Sequence, residues 1–377
     1  MLFRSEDTHV HLSQITPSIF SSLGLSTADD QINAGQSPMG REILFLIDGF
    51  GADVLEKYAS QMPTIARLTQ HALVNTSFPS TTATSLATLT TGVLPGVHGM
   101  LGYTVQVPRS GGRILNALKW DERVDPINWQ PVPTLFERAM AEGIHVSHVA
   151  AKRYENSGFT RAVFRGAEYR GANVVADLIA QTKDALRKTP SFVYLYVNDL
   201  DVAGHSDGVG SDKWLAALAM IDQMLASLMK EMPQGTRIWL TSDHGMINVG
   251  EKIIIGQDNP LLENIAVIAG EPRARHLYLK PDHDSSAARS NVASVWQEFL
   301  GDRADVFTRE QVITNNLFGD VVSADSLDRM GEVIAVAKRT AVLIDPARID
   351  KESAMVGHHG ADSEIETQVC LLTTTLS

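Results

Sequence analysis

Three hydrophobic runs, each followed closely by acidic residues, constrain the fold of this sequence more than any other feature. The runs at 43–47 and 192–197 are continuously apolar, and the run at 237–240 is mostly so. Such runs are typical of parallel strands that are covered on both faces. The polar residues that follow the three runs include Asp48, Asp201, Asp243 and His244. Open α/β sheets bind ligands beyond the carboxyl ends of their strands, so this arrangement predicts a site at that edge of a parallel sheet.

The composition limits the class of protein. A chain of 377 residues can bury a large core and favours one core domain with a smaller insert. The net charge of −12 argues against a general binder of nucleic-acid polymers or of anionic membranes. No apolar run is long enough for a membrane span, so we expect no membrane partner and a cytoplasmic location. Since Cys370 is the only cysteine, a thiolate zinc site is excluded. The composition leaves the oligomeric state open.

These patterns predict an α/β fold in which helices cover both faces of a mostly parallel sheet, with a smaller α+β insert. The boundaries follow changes in the hydrophobic pattern. We expect an N-terminal arm at 1–40, a core at 41–248, the insert at 249–340, and closing strands with the last candidate ligand at 341–377. The core contains two excursions, a hairpin at 104–130 and a loop-rich stretch at 152–175. The aromatic and basic residues of the second excursion are compatible with a substrate pocket and equally with an ordinary loop; they are Arg153, Tyr154, Phe159, Arg161, Arg165 and Tyr169.

Between the first two runs, residues 75–103 are rich in threonine and serine. From Thr82 the apolar residues recur at helical steps, and Gly92 stands where a left-handed residue ends a helix. Ser80, Thr81 and Thr82 therefore fall at a helix N-terminus, where free N–H groups and the helix dipole favour an anion. Taken alone, these hydroxyl groups are typical of an ordinary helix cap.

Further candidate ligands come in pairs. Asp201 and His205 have the spacing that places two side chains on one face of a helical turn, which suits two ligands of one metal ion. Asp243 and His244 are adjacent, so their side chains can converge only where the strand ends. Gly245 permits a turn at that point.

Four segments together resemble the nucleotide pyrophosphatase/phosphodiesterase family of the alkaline phosphatase superfamily. They are FPSTT at 78–82, TGVLPGVHG at 91–99, SDHG at 242–245 and HGAD at 359–362. The segments occur in the order of the family, and both family spacings around the nucleophile select Thr82. The resemblance implies an alkaline-phosphatase-like core.

The resemblance also implies two metal ions with oxygen and nitrogen ligands. One ion is held by Asp48, Asp243, His244 and the Thr82 oxygen, and the other by Asp201, His205 and His359. Such donors suit Zn²⁺, with Mn²⁺ or Fe as alternatives. The implied reaction is attack of Thr82 on phosphorus to give a phospho-threonine, which water then hydrolyses.

Two positions depart from the family pattern and bear on the substrate. Ala83 replaces the aromatic residue that usually stacks on a nucleobase, and Tyr103 replaces an asparagine that contacts a phosphoryl oxygen. We place both residues at the substrate site and expect a small phosphodiester or nucleotide-like substrate without strict nucleotide preference. A phosphonate hydrolase or phosphomonoesterase with the same metal ions is the alternative. A metal-stabilised binding protein without catalysis is a third hypothesis, against which the retained Thr82 argues.

Overall fold

The computed structural model of the chain describes residues 9–283 and 285–377. The strands are β1 His9–His11, β2 Arg41–Ile47, β3 Thr69–Asn75, β4 Thr104–Gln106, β5 Ile114–Asn116, β6 His145–Ala151, β7 Glu168–Ala172, β8 Ser191–Val197, β9 Arg237–Thr241, β10 Ile247–Asn248, β11 Glu251–Ile254, β12 Ile265–Glu271, β13 Ala274–Leu279, β14 Ala304–Thr308, β15 Val333–Ala337, β16 Ala341–Ile344, β17 Gly357–His358 and β18 Gln368–Thr375. The α-helices are α1 Leu12–Ser22, α2 Ala52–Lys57, α3 Thr82–Thr91, α4 Pro95–His98, α5 Pro126–Trp129, α6 Leu135–Ala141, α7 Gly158–Val163, α8 Val175–Ala185, α9 Asp199–Asp207, α10 Asp212–Glu231, α11 Ser286–Leu300, α12 Arg309–Thr314, α13 Ala324–Arg329, α14 Ile349–Ala354 and α15 Glu364–Thr367.

The main sheet has, within the described residues, eight strands in the order β1-β3-β18-β9-β2-β8-β6-β7. Neighbouring strands run parallel except at β18, which is antiparallel to both β3 and β9. The central strand β2 sends Leu44 and Leu46 into one apolar cluster and Ile43, Phe45 and Ile47 into another. A strand buried on both faces needs this continuous apolar run. The predicted α/β fold with a mostly parallel sheet is confirmed.

Helices cover both faces of the main sheet. Leu86 of α3 and Ile15 of α1 belong to the first apolar cluster, whereas Trp214 and Leu218 of α10 belong to the second. The helix predicted from Thr82 is α3, and it ends at a left-handed glycine, as its sequence indicates. No helix in the described ranges combines the length and the apolar character that crossing a bilayer requires.

The range predicted as an insert, 249–340, contains a second sheet. Strands β12, β13, β15 and β14 form it in that order, and each neighbouring pair is antiparallel. Helix α11 packs on this sheet and contributes Trp296 to its separate apolar core.

The predicted closing strands differ from the prediction in one respect. Strand β16 pairs with β11, so of the two closing strands only β18 joins the main sheet. The hairpin predicted in the excursion at 104–130 is β4 and β5.

Residues 9–22 differ from the arm predicted for residues 1–40. Strand β1 pairs with β3 at the edge of the main sheet, and α1 packs against α3. This stretch is therefore part of the core. A three-residue strand and a helix that contains Pro17 give too weak a periodic signal to be predicted from sequence. Residues 1–8 of the predicted arm lie outside the described residues.

Candidate active site

Three neighbouring parallel strands bring the predicted acidic residues to one edge of the main sheet. Asp48 directly follows β2, and Asp243 comes shortly after β9. Asp201 lies in the first turn of α9, which begins just after β8. Because β9, β2 and β8 are adjacent in the sheet, their carboxyl ends place these side chains together.

The first group of candidate ligands surrounds the imidazole of His244. His244 Nε2 lies 3.2 Å from Thr82 Oγ1. The same nitrogen lies 3.4 Å from Asp48 Oδ1 and 3.4 Å from Asp243 Oδ2. Apart from Thr82 these side chains are fully buried or nearly so. The four residues predicted to bind one metal ion therefore lie together.

The second group surrounds a carboxylate oxygen of Asp201. His205 Nε2 lies 3.4 Å from Asp201 Oδ1, and His359 Nε2 lies 3.6 Å from the same atom. The two imidazole nitrogens are themselves 3.2 Å apart. These are the three residues predicted to bind the other ion.

Asp201 also lies close to the first group. One ligand atom each from Asp48, Asp201 and His244 lies within 4.8 Å of the others. The two groups therefore adjoin at Asp201, whereas the sequence predicts two separate sets of ligands. Sequence spacing cannot reveal this, because Asp48 follows β2 and Asp201 lies in α9, which follows the distant strand β8.

The three histidines are oriented by backbone carbonyl groups. The Nδ1 atoms lie close to carbonyl oxygens, at 2.8 Å for His205 with Gly357, 2.8 Å for His359 with Ser80, and 3.1 Å for His244 with Gly245. An imidazole that donates its Nδ1–H to a carbonyl oxygen presents the lone pair of Nε2 on its opposite side. All three lone pairs thus face the carboxylate cluster, which is the arrangement that metal-binding histidines require.

Buried oxygen atoms without partners show whether metal ions fit this cluster. Asp48 Oδ1, Asp201 Oδ1 and Asp243 Oδ2 are buried and accept no hydrogen bond from the described residues. Burial, followed by the charges of Asp243 and Asp201, raises the pKa of Asp48 well above its ordinary value. Burial also raises the pKa of Asp243. Unpaired buried carboxylates are costly, and cations between them offset that cost, so these residues fit two divalent ions.

Thr82 is the first residue of α3, after Thr81 in an extended conformation. Thr84 and Ser85 donate to the Thr81 carbonyl oxygen at 3.1 and 2.9 Å. Among the described residues, the backbone N–H groups of Thr82 and Ala83 have no acceptor. A phosphoryl oxygen at this helix N-terminus can accept hydrogen bonds from them.

A cavity of about 840 Å³ adjoins the site, and Thr82, Ala83 and Tyr103 line it. The backbone N–H of Tyr103 donates to Glu271 Oε2 at 3.0 Å. The ammonium nitrogen of Lys351 lies 5.7 Å from the centroid of the Tyr103 ring. Both residues predicted for substrate binding are therefore in the cavity wall.

Sequence reasoning missed two residues of the site, Tyr196 and Glu271. Tyr196 donates its hydroxyl hydrogen to Asp48 Oδ2, and the only signal for this was its position just before the end of β8. Tyr154 and Phe159 belong to the excursion at 152–175 that the sequence offered as a possible pocket lining, and they do line the cavity, with aromatic faces that residue 83 lacks. Glu271 reaches the cavity from the end of β12 in the second sheet, and no local pattern could have placed it there.

Residues 43–362 match the model of a protein family described as type I phosphodiesterase / nucleotide pyrophosphatase. The chain belongs to this family. Human ectonucleotide pyrophosphatase/phosphodiesterase family member 1 is 27% identical over 267 residues, which are 65% of this chain and 28% of that protein. The venom phosphodiesterase of Macrovipera lebetinus is 26% identical over 244 residues, 57% of this chain and 27% of the venom protein. The chain thus matches less than a third of the length of these type I phosphodiesterases.

Solved structures of type I phosphodiesterase relatives have the same fold. Human ectonucleotide pyrophosphatase/phosphodiesterase 5 superimposes with a TM-score of 0.69 at 17% identity, covering 88% of this chain and 87% of that one. An inactive variant of the murine protein, in complex with AMP, gives a TM-score of 0.66 at 16% identity, with coverage of 88% and 87%. These structures agree with the alkaline-phosphatase-like α/β core expected from the sequence.

Proposed function

We propose that this type I phosphodiesterase family member hydrolyses small phosphodiesters, with Thr82 as nucleophile and two divalent metal ions as cofactors. The observation that carries the proposal is the position of the Thr82 hydroxyl, 3.2 Å from His244 Nε2 within the carboxylate cluster. If Thr82 only capped a helix, the buried carboxylate oxygens beside it, which have no hydrogen-bond partners among the described residues, would have no explanation. The family match and the phosphodiesterase relatives support the same reaction class.

The metal ligands in this proposal are all oxygen and nitrogen donors. Thr82, Asp48, Asp243 and His244 would hold one ion, and Asp201, His205 and His359 the other, with Asp201 adjacent to both. Zn²⁺ suits these donors, and Mn²⁺ or Fe are alternatives. When bound, the two ions supply positive charge to the phosphoryl oxygens and to the attacking and leaving oxygens.

In the proposed first step, Thr82 Oγ1 loses its proton to solvent and forms a bond to phosphorus, while one ester oxygen leaves as an anion with the electron pair of its broken bond. The free N–H groups of Thr82 and Ala83 donate to a phosphoryl oxygen and so stabilise the charge that builds up there. In the second step, water bonds to phosphorus and loses a proton. The Thr82–phosphorus bond then breaks and Thr82 recovers its hydrogen, which releases a phosphomonoester.

The cavity suits a phosphodiester with at least one sizeable substituent. Tyr154 and Phe159 provide aromatic surface, and the Tyr103 phenol provides a hydrogen-bond donor. A nucleotide-like substituent is therefore compatible with this site, although Ala83 offers no stacking face. The AMP bound to the murine relative is a ligand of this kind.

The test compares turnover of three p-nitrophenyl substrates by zinc-loaded protein. These are bis-p-nitrophenyl phosphate, p-nitrophenyl phosphate and p-nitrophenyl phenylphosphonate. We expect the diester to have the highest kcat/KM and its hydrolysis to stop on chelation. A higher value for the monoester or the phosphonate would replace the proposal with the corresponding hydrolase. Zinc binding without turnover of any of them would favour a non-catalytic protein.

A further inference from the structure

Four basic side chains line the cavity beside the candidate metal ligands: Lys119, Arg153, Arg348 and Lys351. They come from three separate parts of the chain, namely the segment after β5, the segment after β6, and the residues around the start of α14. The whole chain has a net charge of −12, so this concentration of positive charge is opposite to the character of the molecule.

Three of these cations have no carboxylate partner among the residues that the structure describes. Arg348 Nε lies 3.6 Å from Asp345 Oδ2 and is therefore paired. Lys119, Arg153 and Lys351 form no ion pair with any residue in the described ranges. Most surface cations gain little from a partner, but three unpaired ones around a single cavity create a field that attracts an anion.

The acidic residues of the cavity wall, other than the metal ligands, do not cancel this field. Glu352 is buried and accepts a hydrogen bond from the guanidinium of Arg275, so its charge is already neutralised. Burial raises the pKa of Glu271 to about 8, which keeps much of this carboxyl group protonated near neutral pH.

Arg153 is held in place by neutral groups. Its Nη2 donates to the Tyr154 hydroxyl oxygen at 2.8 Å and to Asn198 Oδ1 at 3.3 Å. Asn198 Nδ2 in turn donates to the Tyr154 hydroxyl oxygen at 3.0 Å. Asn198 is the N-cap residue of α9, the helix that carries Asp201 and His205. The guanidinium is thus fixed to the element that presents candidate metal ligands, and its other N–H groups are available to a ligand.

We propose that Arg153, together with Lys119 and Lys351, binds a second anionic group of the substrate, carried on an ester substituent and separate from the phosphoryl group that is cleaved. The inference rests on the proposed function and narrows its substrate class to phosphodiesters with a further negative charge, such as a carboxylate or a terminal phosphate. Arg153 is a specificity-determining residue in this account, since it contacts the substituent and not the reacting atoms.

Two probes of the same shape and different charge test this subsite. They are p-nitrophenyl 4-carboxyphenyl phosphate and its neutral 4-carbamoylphenyl counterpart. For zinc-loaded wild-type protein we expect kcat/KM to be higher for the carboxylate by about tenfold or more, which corresponds to about 1.4 kcal/mol. Arg153→Gln should reduce this preference to within about threefold, and Arg153→Lys, which keeps the charge but loses the planar fork, should give an intermediate value.

Lys152→Gln is the matched control. It makes the same change in net charge one residue away, but Lys152 does not line the cavity. We expect this variant to keep the wild-type preference. If Lys152→Gln lost as much of the preference for the carboxylate probe as Arg153→Gln, the preference would come from long-range electrostatics. That result would contradict a second anion site at Arg153.

Calorimetric titration of zinc-loaded Thr82→Ala protein with both probes gives the same comparison without turnover. If neither probe is hydrolysed by the wild type, the proposed function fails, and the calorimetric ratio still decides the role of Arg153. Equal affinity for the two probes, or a preference that survives Arg153→Gln, would refute the second anion site.

Discussion

At the scale of single residues, the site depends on side chains whose polar atoms are left free for ions. Each candidate histidine ligand has its Nδ1 near a carbonyl oxygen, and each candidate aspartate has a buried oxygen without a hydrogen-bond partner in the described part of the chain. Most candidate ligands could be proposed from the sequence because Asp and His follow apolar runs or stand at helical spacing, whereas His359 was proposed from the family pattern. The position of Asp201 between the two groups was not predictable, because it depends on the neighbouring strands β2 and β8.

Removal of the Thr82 hydroxyl should abolish turnover without emptying the metal site. We expect Thr82→Ala to lower kcat for bis-p-nitrophenyl phosphate by roughly three orders of magnitude or more, as expected for loss of a nucleophile. Thr82→Ser keeps a hydroxyl and should retain measurable activity. Metal content, measured by elemental analysis, should remain at or near the wild-type level at the Asp201 group. Activity of Thr82→Ala near that of the wild type would transfer the role to Thr81 or Ser80.

His359 and His358 are adjacent but should behave differently on substitution. His359 Nε2 lies 3.2 Å from His205 Nε2, whereas His358 Nε2 is buried without a hydrogen-bond partner among the described residues. We therefore expect His359→Ala to lose most bound zinc and most activity, and His358→Ala to lose much less of either. The opposite ranking in metal analysis would show that the C-terminal ligand is His358.

At the scale of secondary-structure elements, the start of α3 and the C-terminal loop hold each other in position. Ser80 Oγ donates to the Ala361 carbonyl oxygen at 2.6 Å and accepts from the Gly360 N–H at 3.1 Å. The Ser80 carbonyl oxygen lies 2.8 Å from Nδ1 of His359. The segment before Thr82 thus orients a candidate ligand of the adjoining group.

Loss of the Ser80 hydroxyl should weaken zinc binding although no ligand is removed. We expect Ser80→Ala to lower zinc affinity by about 10–100-fold, the effect typical of residues that orient metal ligands. Ser77→Ala is the control, because Ser77 is also buried but its hydroxyl bonds to Thr88. Competition with a zinc-binding dye measures both variants, and equal affinities would contradict the orienting role of Ser80.

The strands and helices could be predicted from sequence where the pattern of apolar residues is strong. The runs at 43–47 and 192–197 are β2 and β8, and the helix from Thr82 is α3, because burial on both faces and an end at Gly92 leave clear patterns. Strand β1 and the pairing of β16 with β11 were missed. Both are determined by contacts between distant segments, which short apolar stretches do not reveal.

At the scale of the whole molecule, the fold concentrates negative charge at the edge of its main sheet, where metal ions would balance it. Asp48 and Asp243 have raised pKa values because they are buried, so in the metal-free protein they retain protons that they would lose in the unfolded chain. A raised folded-state pKa makes the stability of the metal-free protein fall as the pH rises above the unfolded value. Divalent ions bound as proposed would remove this penalty by pairing with the carboxylates.

The rise in melting temperature on zinc addition should therefore be larger at about pH 8 than at about pH 5. Zinc displaces protons from Asp48 and Asp243, so the net binding free energy becomes more favourable as the pH rises. Differential scanning calorimetry with and without zinc measures the rise in melting temperature at each pH, and a chelator should reverse it. Equal increments, or a larger one at the lower pH, would contradict zinc binding by these carboxylates.

The proposed mechanism requires a covalent bond between Thr82 and phosphorus, and an experiment that traps this intermediate can detect it. Zinc-loaded protein is mixed with bis-p-nitrophenyl phosphate, quenched in acid within the first turnover, digested and analysed by mass spectrometry. We expect a p-nitrophenyl phosphoryl group on the peptide that contains Thr82, with fragmentation placing it on that residue, and no adduct in Thr82→Ala. A modified Thr81 or Ser80, or rapid turnover with no adduct under conditions in which the second step is slowed, would contradict it.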